Sequence, residues 1–434
     1  MAGTMNHGRR RLIYVDMAYT TRIVRQRGHE DYWLARHSWG YFGQVWGVHP
    51  LADVPDSEVR RRPRILKFAR RQLIIEGTSQ VFALPRWLLV PNFILSQLLL
   101  VRAILRHARR RPVDAIFAND PLYCGLFGLC LARRLGVPLI VFIPAHYDQL
   151  YEATGALANP RIFRFRSIEQ AAMRRVLTKA DMVFVAAESL AQLALKYGAS
   201  DEAIARLRHG KYIARHHLLD PAERPALGAA LKRYGIPAAR NYLIYVGRHT
   251  EVKHPADALR AMSAVLSADR DTIGIMAGEG ELTEDLKREA ESLGMPGRVL
   301  FPGLIDQHSL SLLLPACVTL SPLTGMALIE CALAGSPIVA YRRDWQGEFI
   351  EDQVNGLLVA YRDWQAMGEK ALAIIRDPAL RQRLSRAARA SAIEFVDPEA
   401  NRAKEHAAFD AMFDRFRSSG RRRRASRAQG PCRG

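Results

Sequence analysis

Residues 241–268 read NYLIYVGRHTEVKHPADALRAMSAVLSA. A short apolar run rich in β-formers ends at Gly247, a polar loop carries Arg248 and Lys253 five residues apart, and an amphipathic helix follows from Pro255. The unit then repeats. Strands TIGIMAGEG, VLFPG, CVTLSP and PIVAY alternate with helices LTEDLKREAESLG, SLSLLLPA and MALIECALAG. Short buried strands alternating with amphipathic helices predict βαβ units on a parallel sheet.

The first half alternates less cleanly, through RLIYVDMAY, PVDAIFAND, YCGLFGLCLARRLG, PLIVFIPAH, a helix over Ile168 to Lys179, and ADMVFVAAES. The linker LDPAERPALGAALKRYGIPAARN separates the halves. Asp397-Pro398 reads as an N-cap and first helical position opening a terminal helix to about Phe416. The expected architecture is α/β: two doubly wound domains, 1–215 and 216–395, facing each other across a cleft. Helix 396–416 returns toward the first domain, and 417–434 is expected to be a disordered basic tail. Ligands of such sheets lie outside the carboxyl ends of the strands.

The chain has 434 residues, 49% hydrophobic and 24% charged, which excludes disorder of the whole. Its 63 Lys+Arg against 43 Asp+Glu leave a net charge of +20, pointing to an anionic partner. The excess sits in Arg9–Arg11, in Arg60 to Arg71, in Arg102 to Arg111 and in the tail, with Arg421 to Arg424. Between two of these clusters lies Trp87 to Val101, WLLVPNFILSQLLLV, without a charge. It is too short and too interrupted, by Pro91, Asn92, Ser96 and Gln97, to span a bilayer. It fits two readings, a segment lying in an anionic membrane interface or a buried loop and helix. The N-terminus holds no apolar run of signal-peptide length. Of five cysteines, Cys124, Cys130, Cys317 and Cys331 read as buried thiols; with Cys432 they form no C-x-x-C or zinc pattern, so the expected compartment is the reducing cytoplasm.

No G-x-G-x-x-G follows the first strand. The string RLRHGKYI is no Walker A loop, since Ala205 and Tyr212 stand where Gly and Ser or Thr belong. The positive signals lie in the second half. Arg248 and Lys253 at a strand end suit a diphosphate, the guanidinium with bidentate contacts and the ammonium as a point charge. In residues 321–340, SPLTGMALIECALAGSPIVA, Gly325 precedes a helix beginning near Met326, whose N–H groups favour phosphate. Glu330, one turn inside and hemmed by Leu328, Ile329, Cys331, Ala332 and Leu333, needs a partner; vicinal hydroxyls such as those of a ribose would suit it.

Together VGRHTEVKH, AGEGEL, VLFPG and TGMALIECALAGSPIVAYRRDWQGEFIEDQVNGLLV resemble the C-terminal domain of retaining GT-B glycosyltransferases of family 4, over about Tyr242 to Val359. The resemblance implies that Arg248 and Lys253 hold a nucleotide-sugar's diphosphate and that Glu330 binds its ribose. It implies that Thr324, Gly325 and Met326 approach the phosphates and sugar, and that His146, in VFIPAHYD, lies beside the donor sugar as the catalytic candidate. It further implies front-face transfer with retention, no metal and no cofactor. The acceptor suggested by the basic and apolar segments is lipid-linked or a polysaccharide, at the inner face of a membrane. Two features depart from the family. Its Glu-x7-Glu pair ends at Glu330 but would begin at position 322, which is Pro322, and its paired glycines after the first strand are absent. An inactive GT-B-shaped scaffold in polysaccharide assembly is therefore the alternative reading. A nucleic-acid binder, motivated by charge alone, lacks a recognition motif.

Overall fold

The computed structural model describes residues 10–18, 20–22, 24, 33, 36, 38–52, 62–82, 88–207, 213, 215–221 and 227–428, with side chains to 419. The Gly210-Lys211 pair, Arg9, Arg60, Arg61, Trp87, Cys432 and the side chains of Arg421 to Arg424 lie outside this set. Two compact units comprise Met1–Tyr147, Ala156–Arg208 and Pro398–Gly434, and Asp148–Gly155 with His209–Asp397. The divisions fall after residues 208 and 397, where the sequence reading set them after 215 and 395.

The first unit is built on β1 (Arg10–Val15), β2 (Phe42–His49), β3 (Arg64–Ala69), β4 (Gln72–Glu76), β5 (Ala115–Ala118), β6 (Leu139–Phe142), β7 (Met182–Val185) and β8 (Ile204–Arg206). Their order is β3-β4-β2-β1-β5-β6-β7-β8. Every neighbouring pair is parallel except β3 with β4. The strands read from sequence are β1, β5, β6 and β7. Part of the Arg60 to Arg71 cluster proves to be an edge hairpin: Arg64 and Lys67 lie exposed on β3, and Arg70 and Arg71 turn into β4. Charges on an edge strand block further strand addition. Cys130, expected to be buried, is only half-buried, beside Arg134.

The terminal helix, Pro398–Ala428, belongs to this unit and runs past Phe416, correcting the expectation of disorder from 417. Arginine is a good helix former, and no proline interrupts the chain before Pro431. Phe409, Met412 and Phe413 enter the core beside Leu12, Tyr14, Tyr41 and Phe42. Tyr41 Oη donates to Asp410 Oδ1 at 2.6 Å, and Trp39 Nε1 donates to Glu405 Oε2 at 3.0 Å. Arg10 lies 4.3 Å from the Phe413 ring centroid.

The second unit carries β9 (Asn241–Val246), β10 (Thr272–Ala277), β11 (Val299–Gly303), β12 (Cys317–Ser321), β13 (Ile338–Tyr341) and β14 (Leu357–Val359), all parallel, ordered β11-β10-β9-β12-β13-β14. Alternate residues of β9 feed opposite cores, as the two-residue strand period requires. Leu243 and Tyr245 pack with Met262, Met367 and Ile374, and Tyr242 and Ile244 pack with Leu328, Ile329 and Ala392. The unit is therefore doubly wound, with helices on both faces.

Because Phe409 is fully buried in the first unit's core, Phe409→Ala should destabilise that unit by about 3–5 kcal/mol. Hydrogen exchange should then accelerate at the amides of β1 and β2 and stay unchanged at those of β9 and β12.

Candidate functional site

In the second unit the strand order reverses between β9 and β12, so the loops leaving these strands diverge and open a crevice. One loop is Gly247 to Lys253 and the other Pro322 to Met326. The first is clamped by the chain leaving β10. A Cβ on Gly278 would stand 1.9 Å from the Gly247 carbonyl oxygen, and one on Gly280 would stand 2.3 Å from that of His249. Glycine alone fits, and Gly278 also holds φ +135°. The His249 amide donates to Glu279 O at 3.1 Å, and the Leu282 amide to His249 O at 3.0 Å. The buried His249 ring meets Thr283 Oγ1 at 3.0 Å, and Tyr245 Oη donates to Arg248 O at 2.9 Å. This scaffold leaves the Arg248 side chain exposed at the strand end.

Lys253 ends a single turn, Glu251–Lys253. Its Nζ lies 3.4 Å from where a Cβ of Gly325 would be, an ordinary contact distance, so the ammonium faces this turn; the φ of +75° at residue 325 is what favours glycine there. Burial lowers the Lys253 pKa, and the charge of Arg248 lowers it further, against a smaller opposing effect of Asp344. Two cations under-compensated by acids form an anion-binding arrangement. The next residue, His254, takes φ +49°, with its ring between Tyr361 Oη at 2.9 Å and Arg362 Nη1 at 2.5 Å. Burial and the nearby Arg362 push its pKa down to about 4, so the ring is neutral at pH 7.

The second loop hangs on Gln346, a fully buried side chain the sequence reading did not single out. Its Nε2 donates to Pro322 O at 2.8 Å and to Ser321 O at 3.2 Å. Ser321 Oγ donates to Gln346 Oε1 at 2.9 Å and lies 2.5 Å from Thr324 Oγ1. The Thr324 hydroxyl is thus buried and engaged within the loop, so this residue shapes the backbone. Met326 caps the helix Ala327–Leu333, on which Glu330 sits. The Glu330 carboxylate has no hydrogen-bond or ion-pair partner among the described residues, and burial pushes its pKa up to about 7.

Arg248, Lys253, Thr324, Gly325, Met326 and Glu330 therefore come together in one unit, around one switch point. His146 belongs to the other unit, four residues beyond β6, partly buried and immediately before the helix Tyr147–Thr154. That unit's own reversal point, between β1 and β5, holds groups the sequence reading missed. Asp16 pairs with buried Arg36 and accepts from Asn119 Nδ2 at 3.1 Å. Glu76 accepts from the Thr21 amide at 3.1 Å. His49 is buried, its Nδ1 without a hydrogen-bond partner among the described residues. The available signal was a polar residue placed directly after an apolar β run, in LIYVD, AIFAND and QLIIE. Among the described residues no three His, Cys, Asp or Glu side chains cluster as metal ligands.

The raised pKa of Glu330 means that ionising it costs the folded state. This contribution to stability is fully present below pH 4.5, is lost as pH rises to about 7, and is flat above. Glu330→Gln should therefore be more stable than wild type by about 3 kcal/mol at pH 8, and equal to it near pH 4.5, in denaturant melts. A pH-independent difference would remove buried, unpaired ionisation as the cause.

Two family profiles match adjacent parts of the chain, "Glycosyl transferase 4-like domain" at residues 53–210 and "Glycosyl transferases group 1" at residues 229–391. The chain is 24% identical over 286 residues to the alpha-monoglucosyldiacylglycerol synthase of Streptococcus pneumoniae, covering 63% of this chain and 62% of that one. It is 28% identical over 284 residues to the D-inositol 3-phosphate glycosyltransferase of Nocardiopsis dassonvillei, covering 61% and 63%. The matches thus span less than two thirds of these relatives' length. Among solved structures, Anabaena HepE in complex with UDP and glucose matches with a TM-score of 0.70 at 16% identity, covering 93% of this chain and all of that one. With the fold shared and both profiles present, the chain belongs to the GT-B glycosyltransferases of group 1.

Proposed function

We propose that this protein transfers a hexosyl or related residue from a nucleoside diphosphate sugar to a hydroxyl of a lipid-linked or polysaccharide acceptor, with retention at the anomeric carbon and without a metal or other cofactor. The observation that carries the reading is the convergence of Arg248 and Lys253 on the glycine loop at Gly325, with the partnerless carboxylate of Glu330 one helical turn away. Arg248 would grip the diphosphate in a bidentate manner and Lys253 would add a point charge beside Gly325, together stabilising the negative charge that develops as the donor bond breaks. Glu330, ionised above about pH 7, would accept from the vicinal hydroxyls of the ribose. His146 would lie beside the donor sugar. The acceptor oxygen bonds to the anomeric carbon on the face the diphosphate leaves. The electron pair of the broken bond goes to the β-phosphate oxygen, which also takes the acceptor's proton. No protein nucleophile is needed.

UDP and glucose bound to HepE support a nucleotide-sugar donor. The names of the Streptococcus and Nocardiopsis enzymes, which refer to a diacylglycerol and an inositol phosphate, support an acceptor hydroxyl on a lipid or a small polyol. The described cysteines are free thiols, in keeping with a reducing cytoplasm. One observation favours the scaffold alternative. Pro322 is buried and its carbonyl is tied to Gln346, so position 322 offers no carboxylate to a donor sugar.

Thermal shift with UDP, GDP, ADP and their sugars separates the readings. One nucleotide, at a hundredfold excess over its Kd, should raise the Tm of the second unit by about 5–10 °C. Arg248→Ala or Lys253→Ala should each weaken that binding about 10- to 100-fold, and Glu330→Ala should abolish the part that depends on the ribose hydroxyls. Binding with hydrolysis or transfer of the sugar supports the enzyme. Binding with no turnover on any acceptor supports the scaffold, and no stabilisation by any nucleotide overturns the enzyme and leaves a dead or repurposed site, the scaffold reading.

A further inference from the structure

The helix Leu89–Arg110 is built against the usual pattern in its N-terminal half. A surface helix normally turns apolar residues inward and polar residues to water. Here Asn92 and Ser96 are buried, while Val90 is 66%, Ile94 52% and Leu98 55% exposed. The inward polar groups have partners: Asn92 Oδ1 accepts from the Val81 amide at 2.9 Å, and its Nδ2 donates to Phe82 O at 2.7 Å. Farther along, Leu100 and Ile104 are fully buried, so the helix is an integral part of the first unit. Its outward face is continuous. At helical spacing Ile94, Leu95 and Leu98 are followed on the same side by Arg102, Arg106 and Arg109, all exposed.

By length and composition this is the one described helix able to cross a bilayer. Its hydrogen-bonded polar face, its packed C-terminal half and its outward arginines instead keep it on the unit. The helices Tyr123–Leu135 and Arg166–Leu177 pack in the same layer, and each of the three leads back into a parallel strand, so all begin at the carboxyl edge of the sheet. There the third adds Phe165, 63% exposed, and Ile168, 51% exposed.

We propose that the first unit docks on an anionic lipid surface through this face, with the N-terminal end of the helix immersed in the acyl boundary and the arginines at the level of the lipid phosphates. Charge complementarity selects this occupant. The apolar half has the area to bury and the basic half requires anions, on a chain of net charge +20. A second copy on a twofold axis would set arginines against arginines or against aliphatic side chains and leave their charge unanswered. Ile94 and Arg109 lie about 22 Å apart along the helix at 1.5 Å per residue. An immersion of about 5–10 Å at one end is thus a shallow tilt. The face lies outside the nucleotide site, so the proposal stands or falls independently of the transfer reaction.

Co-sedimentation of the full chain with phosphatidylglycerol-containing vesicles, against phosphatidylcholine vesicles, tests it. Wild type should bind the anionic vesicles, with affinity falling as salt rises. Ile94→Asp with Leu98→Asp, and separately Arg102→Gln with Arg106→Gln, should each weaken binding on the order of tenfold or more. These side chains are exposed, so melting temperatures should not change. A dye on Ile94→Cys should be quenched by lipids brominated in the acyl chains more strongly than one on Arg109→Cys. Unchanged binding of both double variants overturns the proposal. So does loss of binding only when Arg421 to Arg424 are changed to Gln, or conversion of a dimer to a monomer by Ile94→Asp with Leu98→Asp in light scattering.

Discussion

Two backbone segments approach each other so closely after β9 and β10 that only glycine can stand at 278 and 280, and the geometry of the candidate site follows from that approach. It holds Gly247 by its amide, which donates to Ala277 O, and His249 by its amide and carbonyl, which fixes where Arg248 leaves the strand. The turn beyond it delivers Lys253 to Gly325, a second glycine in the left-handed region, across the switch point. Three glycines thus set where two cations meet. A side chain at 278 or 280 would push a loop away, and with it a charge, and at 325 the left-handed backbone would be strained.

The second unit accepts unfavourable electrostatics at this point. Lys253 is held beside Arg248 with its pKa lowered, and Glu330 is held in an apolar helix with its pKa raised. Two buried carboxylates elsewhere are satisfied. Asp16 has Arg36 and Asn119, and Asp257 has Tyr341 Oη at 2.8 Å and Arg362 at 3.2 Å. Lys253 and Glu330, drawn together at one switch point without an ion-pair partner among the described residues, fit a site whose missing partners arrive with a ligand.

Much of this was legible in the sequence because parallel strands buried on both faces leave short apolar runs bounded by loops. β9 to β13 and the residues at their carboxyl ends could be read from that alternation. The resemblance then gave Arg248, Lys253, Gly325 and Glu330 their roles. β2 to β4 were not read, since FGQVWGVH and QLIIE mix polar residues into strands whose register is set by neighbours distant in sequence. Gln346 stayed hidden for a related reason. Its importance lies in bonds to the backbone of residues 321 and 322, and nothing in WQGEF announces them. Thr324 was legible as a loop residue, but the engagement of its hydroxyl with Ser321 is visible only once both sit on one turn.

The same reasoning distinguishes the outward face of the Leu89–Arg110 helix from ordinary exposed leucines. Scattered apolar side chains on a surface need no explanation, because polar atoms cannot cover a globule. Here the inward positions of the same turns are occupied by Asn92 and Ser96, which a soluble helix would turn to water, and their burial is secured by specific bonds to residues 81, 82 and 93. The inversion is thus fixed by the fold and does not result from poor packing. A helix locked with its oily side outward, and continuing into arginines along that side, matches a boundary where apolar and anionic surfaces adjoin, which is why the proposed occupant is a lipid headgroup boundary.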